Sequence, residues 1–188
     1  MISSLKAVGI IAEYNPFHSG HAFHLQQSKS LAGADYAIVV MSGDFVQRGA
    51  PSIYDKYLRT HMALLNGADL VLEIPPAFAV SSAKEFASCA VSLLDRLGTV
   101  SHICFGSECG DIRSLANLAD ILFEEPASLS QSVKRHLAAG FSYPRALNMA
   151  LTSCLPPQEY TDSLSSLLSS PNNVLGIEYL NAIRKRGS

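Results

Sequence analysis

The sequence is short of charge. Only 16% of its 188 residues are Asp, Glu, Lys or Arg, and 14 basic against 16 acidic side chains leave a net charge of −2. With 48% hydrophobic residues alongside, this excludes a disordered tail or a polyelectrolyte. The missing basic excess also argues against a chain whose main work is gripping nucleic acid by counterion release. Cysteine is scarce and scattered: Cys89, Cys104, Cys109 and Cys154 form no CxxC pair and are not spaced with histidines as zinc ligands. Free thiols in a reducing cytoplasm are the reading. No apolar run reaches the roughly 18 residues that span a bilayer, and the first residues lack a signal peptide's basic and apolar regions, so a soluble cytoplasmic protein without a membrane partner is expected. Internal repeats are absent, as are GxSxG, HExxH and any identifiable Cys/His dyad.

Short apolar runs without alternation are present: Ala7–Ala12, Tyr36–Met41, Asp69–Ile74 and His102–Phe105. Such runs read as strands buried on both faces. Between them lie helical periodicities over about 19–31, 53–66, 82–97 and 112–123. This alternation predicts an α/β fold, a doubly wound parallel sheet built by right-handed crossovers. After Phe123 the strand signal ends, and 129–139, 143–152 and 171–183 read as helices, with CLPPQEYTDS and LSSLLSS between the last two. The expected organisation is an α/β core over 1–125 and a helical section over 126–188.

Ligands of open α/β sheets bind outside the carboxyl ends of the strands. After the first strand comes Glu13-Tyr14-Asn15-Pro16-Phe17-His18-Ser19-Gly20-His21. A strand, an Asn-Pro turn and His-x-Gly-His opening a helix place two imidazoles beside free backbone N–H groups and the positive end of a helix dipole. Phosphate oxygens suit that place, with His18 and His21 donating as charge develops in nucleotidyl transfer. Gly20 leaves a bare face against which an adenine can lie. A metal pair and an ordinary structural pair of histidines are the competing readings, and neither a third ligand nor a nearby cysteine favours the metal.

Other strand ends carry weaker signals. Lys56 and Arg59 would share a helix face and meet a triphosphate or an RNA phosphate; a solvated face paired with Asp55 is the alternative. Gly106-Ser107-Glu108 could admit an adenine or ribose, the carboxylate accepting from ribose hydroxyls, or be a turn with a cap. Pro171-Asn172-Asn173 reads as a turn and cap opening the last helix.

HSGH resembles the HIGH signature of the nucleotidyltransferase superfamily. The longer GIIAEYNPFHSGHAFHL, followed in order by MSGDFVQRGAPSIYDKYLRTHMAL, DLVLEIP, FGSECGDI and SPNNVLGIEYLNAI, resembles the bacterial tRNA(Met) cytidine acetate ligase family. The resemblance covers most of 6–183 and is weakest over 124–169. It implies two steps: acetate attacks the α-phosphate of ATP to give acetyladenylate and pyrophosphate, and N4 of the wobble cytidine of elongator tRNA(Met) then takes the acetyl group. It implies His18 and His21 as catalytic residues. It also implies ATP contacts from Ile11, Ala12, Glu13, Tyr14, Asn15, Pro16, Phe17, His18, Ser19, Gly20, His21, His24, Gly106 and one of Asn172 and Asn173. Mg²⁺ would be held mostly by the triphosphate and water, with no protein metal site.

Members of that family are about twice as long, and a basic segment that follows a fifth strand in the superfamily has no counterpart before Ser188. A fragment or a shortened relative is expected, with RNA gripped mainly by a C-terminal region not included here. Arg184-Lys185-Arg186, and the scattered Lys134, Arg135 and Arg145, are the remaining RNA candidates beside a solvated-surface reading. Two other function classes stay open: a small-molecule adenylyltransferase using the same turn, which needs a second phosphate-binding cluster, and an ATP-binding module without turnover.

Overall fold

Two runs of β-branched and small apolar residues form the centre of the sheet. In the computed structural model, which describes residues 5–124, 126–154 and 167–187, β1 (Ala7–Ala12) and β2 (Tyr36–Ser42) pair in parallel from Ala7 opposite Tyr36 to Ala12 opposite Met41. β3 (Leu70–Ile74) adds to β2 and β4 (Val100–Cys104) to β1, both parallel, giving the order β3-β2-β1-β4. The chain therefore builds outward from β1 to β3 and then crosses back to the far side of β1. The order reverses between β1 and β4, and the carboxyl end of β1 borders that switch point, where open α/β sheets take their ligands.

Strand alternation sends Val8, Ile10, Ala37, Val39 and Met41 to one face, against Leu25 of α1 (Ser19–Ala32) and Ala63 of α2 (Lys56–Leu65). The other face meets α4 (Ala83–Arg96), reached through a short helix, α3 (Pro76–Ala79). Gly9 shows how closely: a Cβ there would lie 2.7 Å from Leu94 Cδ1 and 3.1 Å from Val100 Cγ1. Helices on both faces make the sheet doubly wound, as expected.

Differences from the sequence reading fall at the edges. β4 begins two residues before the expected His102, because Ser101 and His102 face water on an edge strand, where the apolar signal is lost. The Ala7/Val8 register shift lies on the same pairing. α2 starts at Lys56, where Asp55 accepts from Leu58 N at 2.8 Å as its cap, and Ile53–Asp55 stay outside the helix.

The chain divides into two compact units, 1–105 with 186–188, and 106–185. From sequence the boundary falls at residue 125, whereas α5 (Ile112–Glu124) belongs to the second unit. That unit also holds α6 (Ala127–Ala138), α7 (Tyr143–Cys154) and nearly all of α8 (Pro171–Arg186). The Ser132 and Ser153 hydroxyls, 3.3 Å apart, join α6 to α7. Arg184 pairs with Asp120 at 2.7 Å and joins α8 to α5, while in the first unit Arg186 holds Asp95 and Ser92. Two of the three terminal basic residues are thus engaged with partners on other elements. The stretch between α7 and α8, residues 155–166, lies outside the described residues.

Candidate functional site

Beyond Ala12 the chain turns through Tyr14, whose φ of 49° is left-handed and unusual for a residue with a side chain, and a cis Asn15–Pro16 bond. Tyr14 is buried, and its ring meets Phe17 at 4.8 Å and His21 at 4.9 Å between centroids. This aromatic wedge fixes the plane of His21. His18 caps α1: its Nδ1 accepts from Gly20 N at 3.1 Å, and His21 Nδ1 accepts from His18 N at 3.2 Å, a reciprocal capping box built from two imidazoles. The rings stack 3.6 Å apart with 23° between planes.

The capping bonds determine the tautomers. A ring nitrogen that accepts a backbone N–H carries no proton, so each neutral imidazole bears its hydrogen on Nε2. Burial, with help from the charges of His18 and His24, lowers the His21 pKa to about 4, so His21 is neutral at pH 7. The result is a stacked pair of Nε2–H donors at the positive end of a helix dipole. Their approach to a developing oxyanion needs no proton to be taken up beforehand.

This differs from the sequence expectation in two respects. The N–H groups of His18 and Gly20 are not free for a phosphate, because the imidazoles already use them. The bare face of Gly20 lies against the His18 ring: a Cβ there would sit 3.0 Å from His18 Cε1 and 3.1 Å from Nδ1. His24, one turn further along α1, has a buried Nε2 without a hydrogen-bond partner, and burial lowers its pKa.

A stability prediction follows from His21. In the unfolded chain this imidazole titrates near 6.5 and in the folded chain near 4, so between those values the unfolded state binds more protons. Its contribution is present in full above about pH 6.5 and is lost progressively as pH falls to about 4. Thermal melting across this range should show a falling Tm, and His21→Asn, which keeps a capping acceptor but does not titrate, should flatten the fall. An identical pH profile for the two proteins would contradict the assignment.

Glu13 and Asn15 are used differently from the expectation. The Glu13 carboxylate accepts from Gln47 N at 2.8 Å, and Asn15 Oδ1 accepts from Ile53 N at 2.7 Å, so both side chains clasp the loop that follows β2. Arg59 completes the clasp. It is 0% exposed and donates to the carbonyls of Glu13 (2.6 Å), Ser42 (3.1 Å), Tyr54 (3.0 Å) and Gly43, and to the Ser52 hydroxyl (3.3 Å). With its guanidinium enclosed by these acceptors, Arg59 presents nothing to a phosphate; it neither shares an exposed face with Lys56 nor pairs with Asp55. Burial pulls its pKa down while Asp44, Glu13, Asp55 and Glu73 oppose the shift, and an arginine stays cationic throughout the neutral range. Lys56 binds both Glu73 oxygens, at 2.9 and 2.8 Å, and that hydrogen bond raises its pKa. The clue to Arg59 in the sequence is its i, i+4 relation to Ala63, which puts it on the buried stripe of α2.

The other expected residues near the turn sit as follows. Ile11 is buried at the end of β1, Ala12 and Phe17 are half-buried, and Pro16 and Ser19 are exposed. In the second unit Gly106 has open space where a Cβ would go. Glu108 accepts from Asn172 N (3.1 Å), Asn172 Nδ2 (3.0 Å) and Asn173 N (2.9 Å) and so caps α8. Desolvation alone would raise its pKa, but the bonds from the Asn172, Glu108 and Asn173 backbone and the Asn172 amide outweigh it and hold the carboxylate below its usual range. That carboxylate is thus taken up by the cap rather than held free for a ribose. Asn173 is buried and its Oδ1 accepts from Cys109 N at 3.2 Å. Among the described residues no three His, Cys, Asp or Glu side chains are grouped to hold a metal ion.

The sequence profile of the HIGH nucleotidyl transferases matches residues 5–188. The tRNA(Met) cytidine acetate ligase of Acetivibrio thermocellus is 50% identical over 184 residues, and that of Clostridium kluyveri 49% over 183, each across 96% of this chain. Among solved structures, Thermotoga maritima TmcAL bound with alpha-thio ATP superposes with a TM-score of 0.92 at 41% identity, over 98% of this chain. The chain spans 43% and 45% of the two ligases' lengths and 44% of the solved chain.

Proposed function

The chain belongs to the HIGH nucleotidyl transferase family, and from that premise we propose that it carries the ATP- and acetate-handling site of a tRNA(Met) cytidine acetate ligase. The observation that carries the reading is the stacked His18–His21 pair, whose Nδ1 atoms are used in capping so that each Nε2 is left to donate at the start of α1. Joining a carboxylate to the α-phosphate needs no covalent enzyme intermediate. It needs alignment and neutralisation of the charge that builds on the phosphate and pyrophosphate oxygens. One acetate oxygen attacks the α-phosphorus, the bond to the β-phosphate oxygen breaks and pyrophosphate leaves. The cytidine N4 amine then attacks the acetyl carbon and AMP leaves with the bridging oxygen.

His18 and His21 donate to phosphate oxygens in the first step, and Tyr14 and Phe17 hold the His21 ring in place for it. Gly106 and one of Asn172 and Asn173 are assigned to ATP by the family resemblance, with the Asn173 carbonyl oxygen already occupied inside its own unit. Mg²⁺ accompanying ATP would be carried by the triphosphate, and what it supplies is charge neutralisation. A cytoplasmic setting with elongator tRNA(Met) as acceptor belongs to the same proposal. No helix among the described residues is long and apolar enough to cross a membrane.

The test is isotope exchange. Labelled pyrophosphate should enter ATP when acetate is present and not when it is omitted. Exchange driven by a phosphorylated metabolite would identify an adenylyltransferase instead, and ATP binding with no exchange under any carboxylate would identify a non-catalytic module.

A further inference from the structure

The loop that Glu13, Asn15 and Arg59 clasp, together with the first turn of α2 that carries Tyr57, holds apolar side chains out in water. Phe45 is 50%, Ile53 65%, Tyr54 44% and Tyr57 76% exposed. The backbone beneath them is fixed by Val46 N to Ala50 O (2.9 Å), Ser52 N to Asp44 O (2.9 Å), the Phe45–Pro51 bridge and the two bonds to Glu13 and Asn15. Exposing that many large apolar groups on one short, rigid segment is a cost that a binding surface explains.

Arg48 stands at the tip of the same segment with φ 66° and ψ 11°, in left-handed backbone that a side chain normally avoids. It is exposed and has no ion pair among the described residues. The acids of this segment and of the elements it packs on have other partners: Glu13 holds Gln47 N, Asp44 Lys56 N, Asp55 Leu58 N and Glu73 Lys56. This unpaired cation thus shares its segment with exposed aromatic and aliphatic side chains, and the residue before it is bonded to the turn that leads to His18.

We propose that residues 45–57 form a docking surface for an unpaired RNA strand, Tyr57 and its apolar neighbours taking a base face and Arg48 a phosphate. Exposed aromatic side chains and a free arginine on one segment, with Lys56 Nζ 5.6 Å from the Tyr57 ring centroid, are the chemistry that single-stranded nucleic acid answers, since every base has a flat face and every link an anion. The proposal rests on the acetate-ligase reading for the need: a base amine is acylated only when its base is out of the stack. It also fits the net charge of −2, because stacking and one cation need no basic face.

The experiment titrates a fluorescein-labelled RNA hairpin with an unpaired cytidine in its loop against the full chain by anisotropy, beside acetate-dependent pyrophosphate exchange. Tyr57→Ala and Arg48→Ala should each weaken RNA binding at least fivefold, with exchange within twofold of the parent and unchanged melting. Arg48→Ala should also lower the salt slope of binding by about one. The docking surface is overturned by equal RNA affinity in parent and variants, by no RNA binding in the parent, or by weakened ATP binding in Arg48→Ala. It is equally overturned if the variants lose only self-association, which would give the face to a second copy of the chain. Exchange without variant-sensitive RNA binding sinks this surface alone; variant-sensitive RNA binding without exchange sinks the acetate reading alone.

Discussion

Replacing His18 and His21 together by alanine is expected to lower acetate-dependent adenylation by at least about 10³-fold, on the scale of removing preorganised donors from a developing oxyanion. The same change removes the capping box of α1 and should cost about 1–2 kcal/mol of stability. The two effects are separable. His18→Asn keeps a side chain suited to the cap while removing the Nε2 donor, so it should restore the melting temperature and leave adenylation low. A double alanine variant that turns over at a rate near the parent's would move the chemistry to another part of the molecule. Recovery of both rate and stability by asparagine would instead make the imidazoles only caps.

Arg59→Met should be the most destabilising single change in the first unit, by about 3–5 kcal/mol. Methionine fills much of the space but leaves the carbonyls of Glu13, Ser42, Gly43 and Tyr54 without their donor, those of Ser42 and Gly43 in a buried site. Arg59→Lys should recover only part of the loss, because one ammonium cannot reach acceptors arranged around a planar guanidinium. Urea denaturation reads the difference as a shift in midpoint at constant slope. A loss below about 1 kcal/mol for Arg59→Met would show that these carbonyls find water when the arginine is gone.

These two predictions differ in how far their residues could be read from sequence. His18 and His21 were legible because their information is local: a strand, a turn, a spacing of three and a helix start fall in consecutive residues. β1 and β2 were legible for a related reason, since a strand buried on both faces leaves a continuous apolar run. β4 lies at the sheet edge and shows water Ser101 and His102, so its beginning was displaced.

What sequence did not give is non-local. Arg59 looks like a surface charge until the carbonyls at the ends of β1 and β2 are seen around it. Lys56 finds Glu73 on β3 rather than the neighbouring Asp55. Glu108 caps a helix through Asn172, 64 positions away in sequence. Glu13 and Asn15, expected at the nucleotide, hold the following loop by their side chains. In each case polar groups at strand and helix ends had to be satisfied, and the partner came from another element.

The net charge of −2 and the scarcity of charged residues take on a specific meaning beside this geometry. Part of this sparse charge is committed within the fold: Lys56 to Glu73, Arg184 to Asp120, Lys29 to Asp69, Arg186 to Asp95 and Arg59 to the backbone. What the HSGH turn offers a phosphate is a pair of imidazole Nε2–H donors, of which His21 is neutral at pH 7. The His21 share of nucleotide affinity, read as the parent's affinity relative to that of His21→Asn, should accordingly vary little with pH between about 6.5 and 8, since His21 stays neutral throughout that range.

The central claim, that acetate attacks the α-phosphate of ATP on this chain, is tested most directly with acetate labelled in both oxygens by ¹⁸O and hydroxylamine as a surrogate acceptor. If acetyladenylate forms, the bridging oxygen comes from acetate and remains on phosphorus when the acyl group departs. Mass spectrometry should then find one ¹⁸O in AMP, one in acetohydroxamate and none in pyrophosphate. Unlabelled AMP, or label appearing in inorganic phosphate or pyrophosphate, would contradict the account.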